Sequence, residues 1–176
     1  ASLSNDLKDW RIAMDFSRQF ITFFPVDTFA YKFHYNMAFI EFAFFKMLDT
    51  AYEDFVKVAT LYPYDQYRFK SAMNAYVIAD SLYRARPFTR PKDVPMDSIL
   101  PITPGESKLL DAINNYARLF PDTSALYPTD SLENPKPVMT KPGYKTPDFL
   151  AYAGGIYFSH NDFARVKRDK GSIAFR

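Results

Sequence analysis

Two stretches of this chain match each other at a fixed offset, and this internal repeat limits the folds that the chain can adopt. TFFPVDTFAYKFHYN begins at Thr22, and TLYPYDQYRFKSAMN begins 38 residues later, at Thr60. Five residue types recur in register, in the pairs Thr22/Thr60, Pro25/Pro63, Asp27/Asp65, Lys32/Lys70 and Asn36/Asn74. A third unit, a further 38 residues on, matches only at Pro101 and Lys108. Repeats of this length are typical of solenoids, in which each unit buries its apolar face against the next.

Each unit is expected to be a pair of α-helices, which makes the chain all-α. Glycine is scarce, with 5 residues in 176, and the first half is rich in Ala, Leu, Met and Phe, which favour helix over strand. The apolar periodicity predicts helices over residues 7–23, 29–47, 51–62 and 67–84. Asp27 or Thr28 is the expected cap of the second helix, LDT from Leu48 is the expected turn after it, and Pro63 is expected to end the third.

The helix over residues 29–47 is apolar on two sides. One stripe consists of Tyr31, Tyr35, Ala38, Phe42 and Phe45, and the other of Phe33, Met37, Ile40 and Phe44. A helix of this kind is buried between neighbours. The next helix is amphipathic, and we expect its adjacent acids Glu53 and Asp54 to lie on a solvated face.

The chain changes character after about residue 84. A proline-rich, basic connection, RARPFTRPKDVP, precedes one further helix in PGESKLLDAINNYARLF, and we expect extended structure from Pro121 to Pro147. DFLAYA is expected to form a short helix that stops at Gly154 and Gly155. These features predict a short helical-hairpin repeat domain over residues 1–120, of the α-solenoid class, and an extended, irregular C-terminal tail over residues 121–176.

The tail keeps large apolar side chains that a linker without a binding role normally lacks. Irregular connections of this length are also uncommon inside a compact domain. We therefore expect the tail to dock on a partner protein, with aromatic side chains as its anchors. The candidate partner-binding residues are Tyr144, Phe149, Tyr152 and Tyr157.

Few side chains in the sequence are suited to catalysis. There is no cysteine, and there are two histidines. His34 lies among aromatic residues in a helix and is interpreted as a packed histidine, while Ser159, His160 and Asp162 are too close in sequence to face one another as a triad. No spacing matches a zinc site, a calcium loop or a phosphate-binding loop. We predict no catalytic, metal or cofactor site and no enzyme activity.

Charge and hydropathy argue against two further classes of partner, which are nucleic acid and the lipid bilayer. The formal net charge of +2 is too small to indicate nucleic acid by itself. The longest apolar run, YNMAFIEFAFFKML, is shorter than a membrane span and contains Glu41 and Lys46, so we expect no membrane insertion.

The Pro-x-Asp junction followed by an aromatic-led helix resembles the pentatricopeptide repeat. PVDTFAY and PYDQYRF carry the likeness, which covers residues 7–84. The family reads single-stranded RNA with polar side chains at fixed positions. Phe33 and Ser71 stand at one such position here, and Phe33 offers no hydrogen bond to a base. Lys32 and Lys70 are the candidate phosphate contacts if the chain binds RNA.

The chain also resembles a small family of pentatricopeptide-like accessory subunits of the euglenozoan mitochondrial F1-ATPase, in its size, repeat number, lack of cysteine and mild basicity. That resemblance implies a non-catalytic structural subunit bound to the alpha subunits of the ATP synthase F1 head, in the mitochondrial matrix. The alternatives are an RNA-binding pentatricopeptide-like protein and a scaffold subunit of another mitochondrial complex.

Overall fold

The computed structural model describes residues 2–27, 29–63, 65–121, 142–163 and 165. Over these residues the chain is all-α, as predicted, and contains no β-strand. Its α-helices are α1 (Ser2–Phe23), α2 (Ala30–Ile40), α3 (Leu48–Leu61), α4 (Asp65–Ala85), α5 (Pro104–Leu119) and α6 (Thr146–Ser159), with a π-helical turn at Glu41–Phe45 and a 3-10 turn at Pro142–Lys145. The helices predicted over the repeat and in PGESKLLDAINNYARLF are confirmed as α1 to α5.

The chain forms two compact units, Ala1–Ile78 and Ala79–Arg176, and the border between them lies within α4. The domain boundary predicted between residues 120 and 121 falls inside the second unit. The extended structure predicted over residues 122–141, and the end of the tail at residues 166–176, lie outside the described residues.

In the first unit, α2 runs antiparallel to α1. Trp10, in the first half of α1, stacks on Phe44 just beyond the end of α2, with ring centroids 4.2 Å apart. Phe20, near the end of α1, pairs with Phe33 near the start of α2, at 4.1 Å. Small buried residues let α2 and α3 approach each other closely, among them Ala30, Ala38, Ala51 and Ala59.

The part of α4 that belongs to the first unit packs on α2. The ring centroid of Tyr67 lies 4.9 Å from that of Tyr31 and 5.1 Å from that of Tyr35. The Tyr35 side chain also hydrogen-bonds to Asn74. Tyr31 contacts Tyr67, and Tyr35, one turn later on α2, contacts Asn74, which also comes later on α4. The two helices therefore run parallel. The two apolar stripes predicted on this helix are thus used against more than one neighbour.

The helix predicted over residues 29–47 changes its winding before it ends. α2 gives way at Glu41 to the π-helical turn, and Lys46 then adopts a left-handed backbone conformation with φ of 56°. The Met47 N–H donates a hydrogen bond to the Glu41 carbonyl at 2.9 Å. α3 begins at Leu48, so LDT is its first turn and not the predicted connection. The left-handed residue makes so short a reversal possible.

The expected stop of α3 is present, but the N-cap position of α2 is Phe29, which makes no side-chain capping bond, so Asp27 forms a turn before the helix and is not its cap. Asp27 Oδ1 accepts a hydrogen bond from the Phe29 N–H at 2.7 Å, just before α2. The other candidate cap, Thr28, lies outside the described residues. α3 ends at Leu61, two residues before Pro63, as the proline predicts.

In the second unit, α5 and α6 pack together. α5 begins with a capping box, in which Thr103 Oγ1 accepts from the Glu106 N–H at 3.3 Å and Glu106 Oε2 accepts from the Thr103 N–H at 2.9 Å. Tyr116 of α5 meets Phe149 of α6 edge-on, with ring centroids 4.9 Å apart. Further buried residues of this core are Leu109, Ile113, Ala153, Ile156 and Tyr157.

α6 corrects two expectations about the tail. The segment expected to be extended up to Pro147 is helical from Pro142 onwards, and Pro147 itself lies in the first turn of α6, where its missing N–H costs nothing. The pair Gly154 and Gly155 does not stop the helix, which continues to Ser159. Gly154 is buried, so tertiary packing outweighs a propensity cost of about 1 kcal/mol for each glycine.

Gly143 is predicted to be intolerant of any side chain, because a Cβ on it would collide with the backbone carbonyl of Pro121. We expect Gly143→Ala to lower the free energy of unfolding by about 1–3 kcal/mol, as measured by chemical denaturation. Gly155→Ala is the matched control, because a Cβ there meets no atom within 4 Å. It should raise the stability by about 0.5–1 kcal/mol. Equal effects of the two substitutions would contradict the observed close approach.

Candidate functional site

The four predicted partner-binding residues occupy very different surroundings. Phe149 and Tyr157 are buried in the core of the second unit, with 7% and 5% of their surface exposed. The Tyr152 hydroxyl donates to Asp80 Oδ1 at 3.0 Å. Burial is the larger cause, and this hydrogen bond the smaller one, that together raise the pKa of Tyr152 to about 12. Tyr144 is exposed, and the Lys145 ammonium lies 5.1 Å from its ring centroid. Two of the predicted anchors, Phe149 and Tyr157, thus pack inside the chain's own helical core, and the partner-binding role of the four residues stays a prediction.

Ser159, His160 and Asp162 do not converge on a common point. The Ser159 hydroxyl donates to the Ile156 carbonyl at 2.7 Å, within its own helix. Asp162 is engaged by Arg165, whose Nε lies 3.2 Å from Asp162 Oδ2. These three side chains therefore form no nucleophile–base–acid relay.

His160 instead pairs with Glu106 at the start of α5. Both residues are fully buried, and His160 Nε2 lies 2.9 Å from Glu106 Oε1. Burial alone would raise the pKa of Glu106, but hydrogen bonds from Thr103 and His160 outweigh it and hold the pKa below its usual value. The ring of Phe88 lies over the imidazole, with centroids 3.9 Å apart. This closed arrangement joins the beginning of α5 to the end of α6.

A second buried polar cluster lies between α2 and α3. His34 Nε2 is 3.4 Å from Asp54 Oδ1, and Lys57 Nζ is 2.8 Å from the same oxygen. The Tyr62 hydroxyl lies 3.5 Å from His34 Nδ1. Asp54 is only 5% exposed, so the prediction that it shares a solvated face with Glu53 is wrong for Asp54. Sequence spacing could not indicate this, because His34 comes from another helix.

Glu41 completes this cluster and is its least satisfied member. It is 1% exposed, and its Oε2 has no hydrogen-bond partner among the described residues. Burial, reinforced by the nearby Asp54 carboxylate, raises the pKa of Glu41 to about 7. Burial would also raise the pKa of Asp54, but hydrogen bonds from His34 and Lys57 outweigh it and lower that pKa. The pKa values of the two carboxyl groups are thus moved in opposite directions, and Glu41 is the one that is protonated below about pH 7.

Within the described part of the chain, these clusters offer little to a substrate or a metal ion. Their acidic and imidazole side chains are buried, and the ammonium group of Lys57, which pairs with Asp54, is exposed. No group of three or more His, Cys, Asp or Glu is arranged to hold a metal ion in the described residues. A helix that could span a bilayer is likewise not found among them.

α1 and α2 form a concave groove on the surface of the first unit. One cavity of about 660 Å³ is lined by apolar side chains of both helices, including Trp10, Ile12, Phe16, Phe33 and Phe39. A second, of about 440 Å³, is lined by Phe20, Phe29, Lys32, Phe33 and Asn36. Because Phe33 and Asn36 line both cavities, the two form one continuous surface, here named the α1–α2 groove.

Large apolar side chains of the α1–α2 groove are exposed to water. Ile12 is 59% exposed, Phe16 60% and Phe39 43%. The floor is better packed, because Phe33 meets Phe16 and Phe20 with ring centroids 6.1 and 4.1 Å away. Contiguous exposed apolar surface with a packed floor is typical of a protein-binding site.

The two ends of the α1–α2 groove carry opposite charges. Asp9 lines the end near Phe39, and Lys32 lines the end near Phe20. The Lys32 ammonium lies 5.0 Å from the ring centroid of Phe29, which holds it at the rim of the groove. The groove is therefore mostly apolar along its length and charged at its ends.

Sequence reasoning missed this groove, although a signal for it exists. On α1, Ile12, Phe16 and Phe23 form an apolar stripe beside the one that faces α2, and all three are exposed. The second stripe of α2 is likewise only partly covered, since Phe33 is half-buried and Phe44 is 38% exposed. A stripe with no covering helix marks a surface available to a partner.

No protein-family model, curated protein or solved structure matches this chain. The likeness to the pentatricopeptide repeat thus rests on the repeated residues themselves.

Stability is expected to fall as the pH rises from 5 to 8, because of Glu41. Its folded pKa of about 7 lies above the ordinary value of 4.5 for a glutamate side chain. The folded state therefore holds a proton that the unfolded state has lost, and each rise in pH across this window favours unfolding. Glu41→Gln removes the titration and keeps a side chain that can donate to Asp54. We expect the variant to gain on the order of 2–3 kcal/mol over the wild type between pH 5 and pH 8.

The measurement is urea denaturation at pH 5, 6, 7 and 8. Glu53→Gln is the matched control, because Glu53 lies next to Asp54 on α3 but is exposed; its curve should run parallel to that of the wild type. A Glu41→Gln curve that is also parallel to the wild type would show that Glu41 does not titrate in this window.

Proposed function

We propose that this protein is a non-catalytic accessory subunit of a larger assembly, which binds a partner protein in the α1–α2 groove. The observation that carries the proposal is the exposure of Ile12, Phe16 and Phe39 side by side along one continuous apolar surface. Covering such surface is favourable by about 25 cal/mol for each Å² of apolar area removed from water. Aromatic side chains around a preformed cavity are also the usual hot spots of protein interfaces.

The identity of the assembly is proposed from the resemblance of the repeat. It points to the alpha subunits of the F1 head of mitochondrial ATP synthase, and hence to the mitochondrial matrix. A scaffold role in another mitochondrial complex would use the same groove and differs only in the partner recovered.

The composition of the groove favours a protein partner over RNA. Its charged lining residues are one cation, Lys32, and one anion, Asp9. A site for single-stranded nucleic acid combines stacking rings with a positively charged track for the phosphates. Phe33, which stands where the repeat family would place a base-reading side chain, here forms the apolar floor of the groove.

The test is native purification of the tagged full-length chain from the cells that make it, with mass spectrometry of the proteins recovered. The double variant Phe16→Ser with Phe39→Ser removes one anchor from each helix. We expect it to lower partner recovery at least tenfold, since loss of an aromatic anchor at an interface commonly costs about 2 kcal/mol or more. The wild-type complex should resist ribonuclease.

A matched control is Met96→Ser with Ile99→Ser, which removes two side chains that are 80% and 70% exposed in the second unit. This control should bind like the wild type, and circular dichroism should report unchanged helix content for both double variants. Unchanged recovery of the partner with the groove variant would refute the groove as the binding site. Recovery of RNA that is lost with ribonuclease would favour the RNA-binding alternative.

A further inference from the structure

The packing inside the first unit defines a rule for where successive helices lie. The repeat equates α2 with α4, and α1 then stands to α2 as α3 stands to α4. α2 packs on α3, the helix that follows it, through the edge-on contact of Tyr35 with Phe55 at 5.7 Å. It also packs on α4 through Tyr31 and Tyr35 against Tyr67. The first helix of this pair thus contacts its own second helix and the first helix of the next pair.

Applied one unit earlier, the same rule specifies a helix that would contact α1 and α2. The side chains that line the α1–α2 groove come from these two helices. The groove therefore lies where one more helix of the repeat would pack, and its exposed aromatic residues are those that such a helix would cover. From this we infer that the occupant of the groove is an amphipathic α-helix of a partner protein, running parallel to α2, which extends the helical array by one member.

The direction of the partner helix follows from two independent observations. α4 runs parallel to α2, because Tyr31 meets Tyr67 and Tyr35 hydrogen-bonds to Asn74 further along both helices. The charges at the ends of the groove favour the same direction. Helices carry acidic residues in the first turn and basic residues in the last. A helix parallel to α2 would bring its acidic first turn to Lys32 and its basic last turn to Asp9.

The length of the groove sets the size of the partner helix. Phe29 and Phe39 are ten residues apart along α2 and line opposite ends of the groove. Ten helical residues span about 15 Å. The two cavities meet at Phe33, so apolar anchors about two turns apart on the partner helix would enter one cavity each.

This inference rests on the proposed function and is tested on the native assembly. The photoreactive residue p-benzoyl-phenylalanine is placed at Phe29 in one variant and at Phe39 in another. The tagged protein is irradiated in cell extract, and the crosslinked peptides of the partner are sequenced by mass spectrometry. Both positions are more than 40% exposed, so the bulkier ring can be accommodated. Met96, which is 80% exposed, is the control position.

We expect both groove positions to crosslink to one segment of one partner protein. The Phe29 crosslink should lie about ten residues N-terminal of the Phe39 crosslink, the spacing of two helices that run in parallel. Crosslinks in the reverse order would overturn the inferred direction, and a spacing of about five residues would indicate an extended segment and not a helix. Either result would leave partner binding in the groove intact.

Other outcomes separate failure of the inference from failure of the proposed function. Crosslinks to a second copy of this chain would show that the groove is a self-association surface, which overturns the inference. If the assembly is recovered intact and neither groove position crosslinks to any protein, the groove is not the interface, and both the inference and the groove assignment fail. Crosslinks from Met96 to the same segment would show that the segment does not bind specifically in the groove, which overturns the inference.

Discussion

Packing around α2 determines the arrangement of the first unit, because this helix contacts α1, α3 and α4. Phe33 meets Phe20 of α1, while Tyr35 meets both Phe55 of α3 and Tyr67 of α4. The rings meet tilted or edge-on, the geometries that aromatic pairs prefer, and alanines between them allow the helices to approach. A helix with this many aromatic neighbours has few alternative positions, so α2 also fixes the shape of the groove that it forms with α1.

The π-helical turn that follows α2 carries a buried acid that the fold must accommodate. Glu41 enters the core at the π-helical turn, where the backbone is about to reverse through the left-handed Lys46. Two buried carboxylates this close would repel each other, so Glu41 keeps its proton up to a pKa of about 7, while hydrogen bonds from His34 and Lys57 lower the pKa of Asp54. A shift of α3 by one turn would separate Asp54 from His34, whereas Lys57 lies on α3 itself and would move with Asp54. The cluster therefore contributes to the register of α3 on α2, although burial of the acids costs stability.

The sequence predicts the helices of this chain better than it predicts their burial. Periodicity and proline positions located α1 to α5, because these signals are local. Asp54 was assigned to solvent with Glu53, yet adjacent residues on a helix point about 100° apart, and only Glu53 is exposed. What makes the burial of Asp54 possible is His34, twenty residues away in sequence. Likewise the partner of His160 is 54 residues distant, so neither pair could be recognised from spacing alone.

Aromatic content and surface availability are separate properties, and the two ends of this chain illustrate the difference. Phe149 and Tyr157 lie on a helix with a neighbour, α5, so their rings are used inside the chain. Phe16 lies on a helix with two apolar stripes, and the one beside the α2 contact remains exposed. An apolar stripe can serve a partner only where the array supplies no helix of its own to cover it. In a helical repeat, an exposed second stripe on a helix is therefore stronger evidence for a docking surface than the aromatic content of a tail alone.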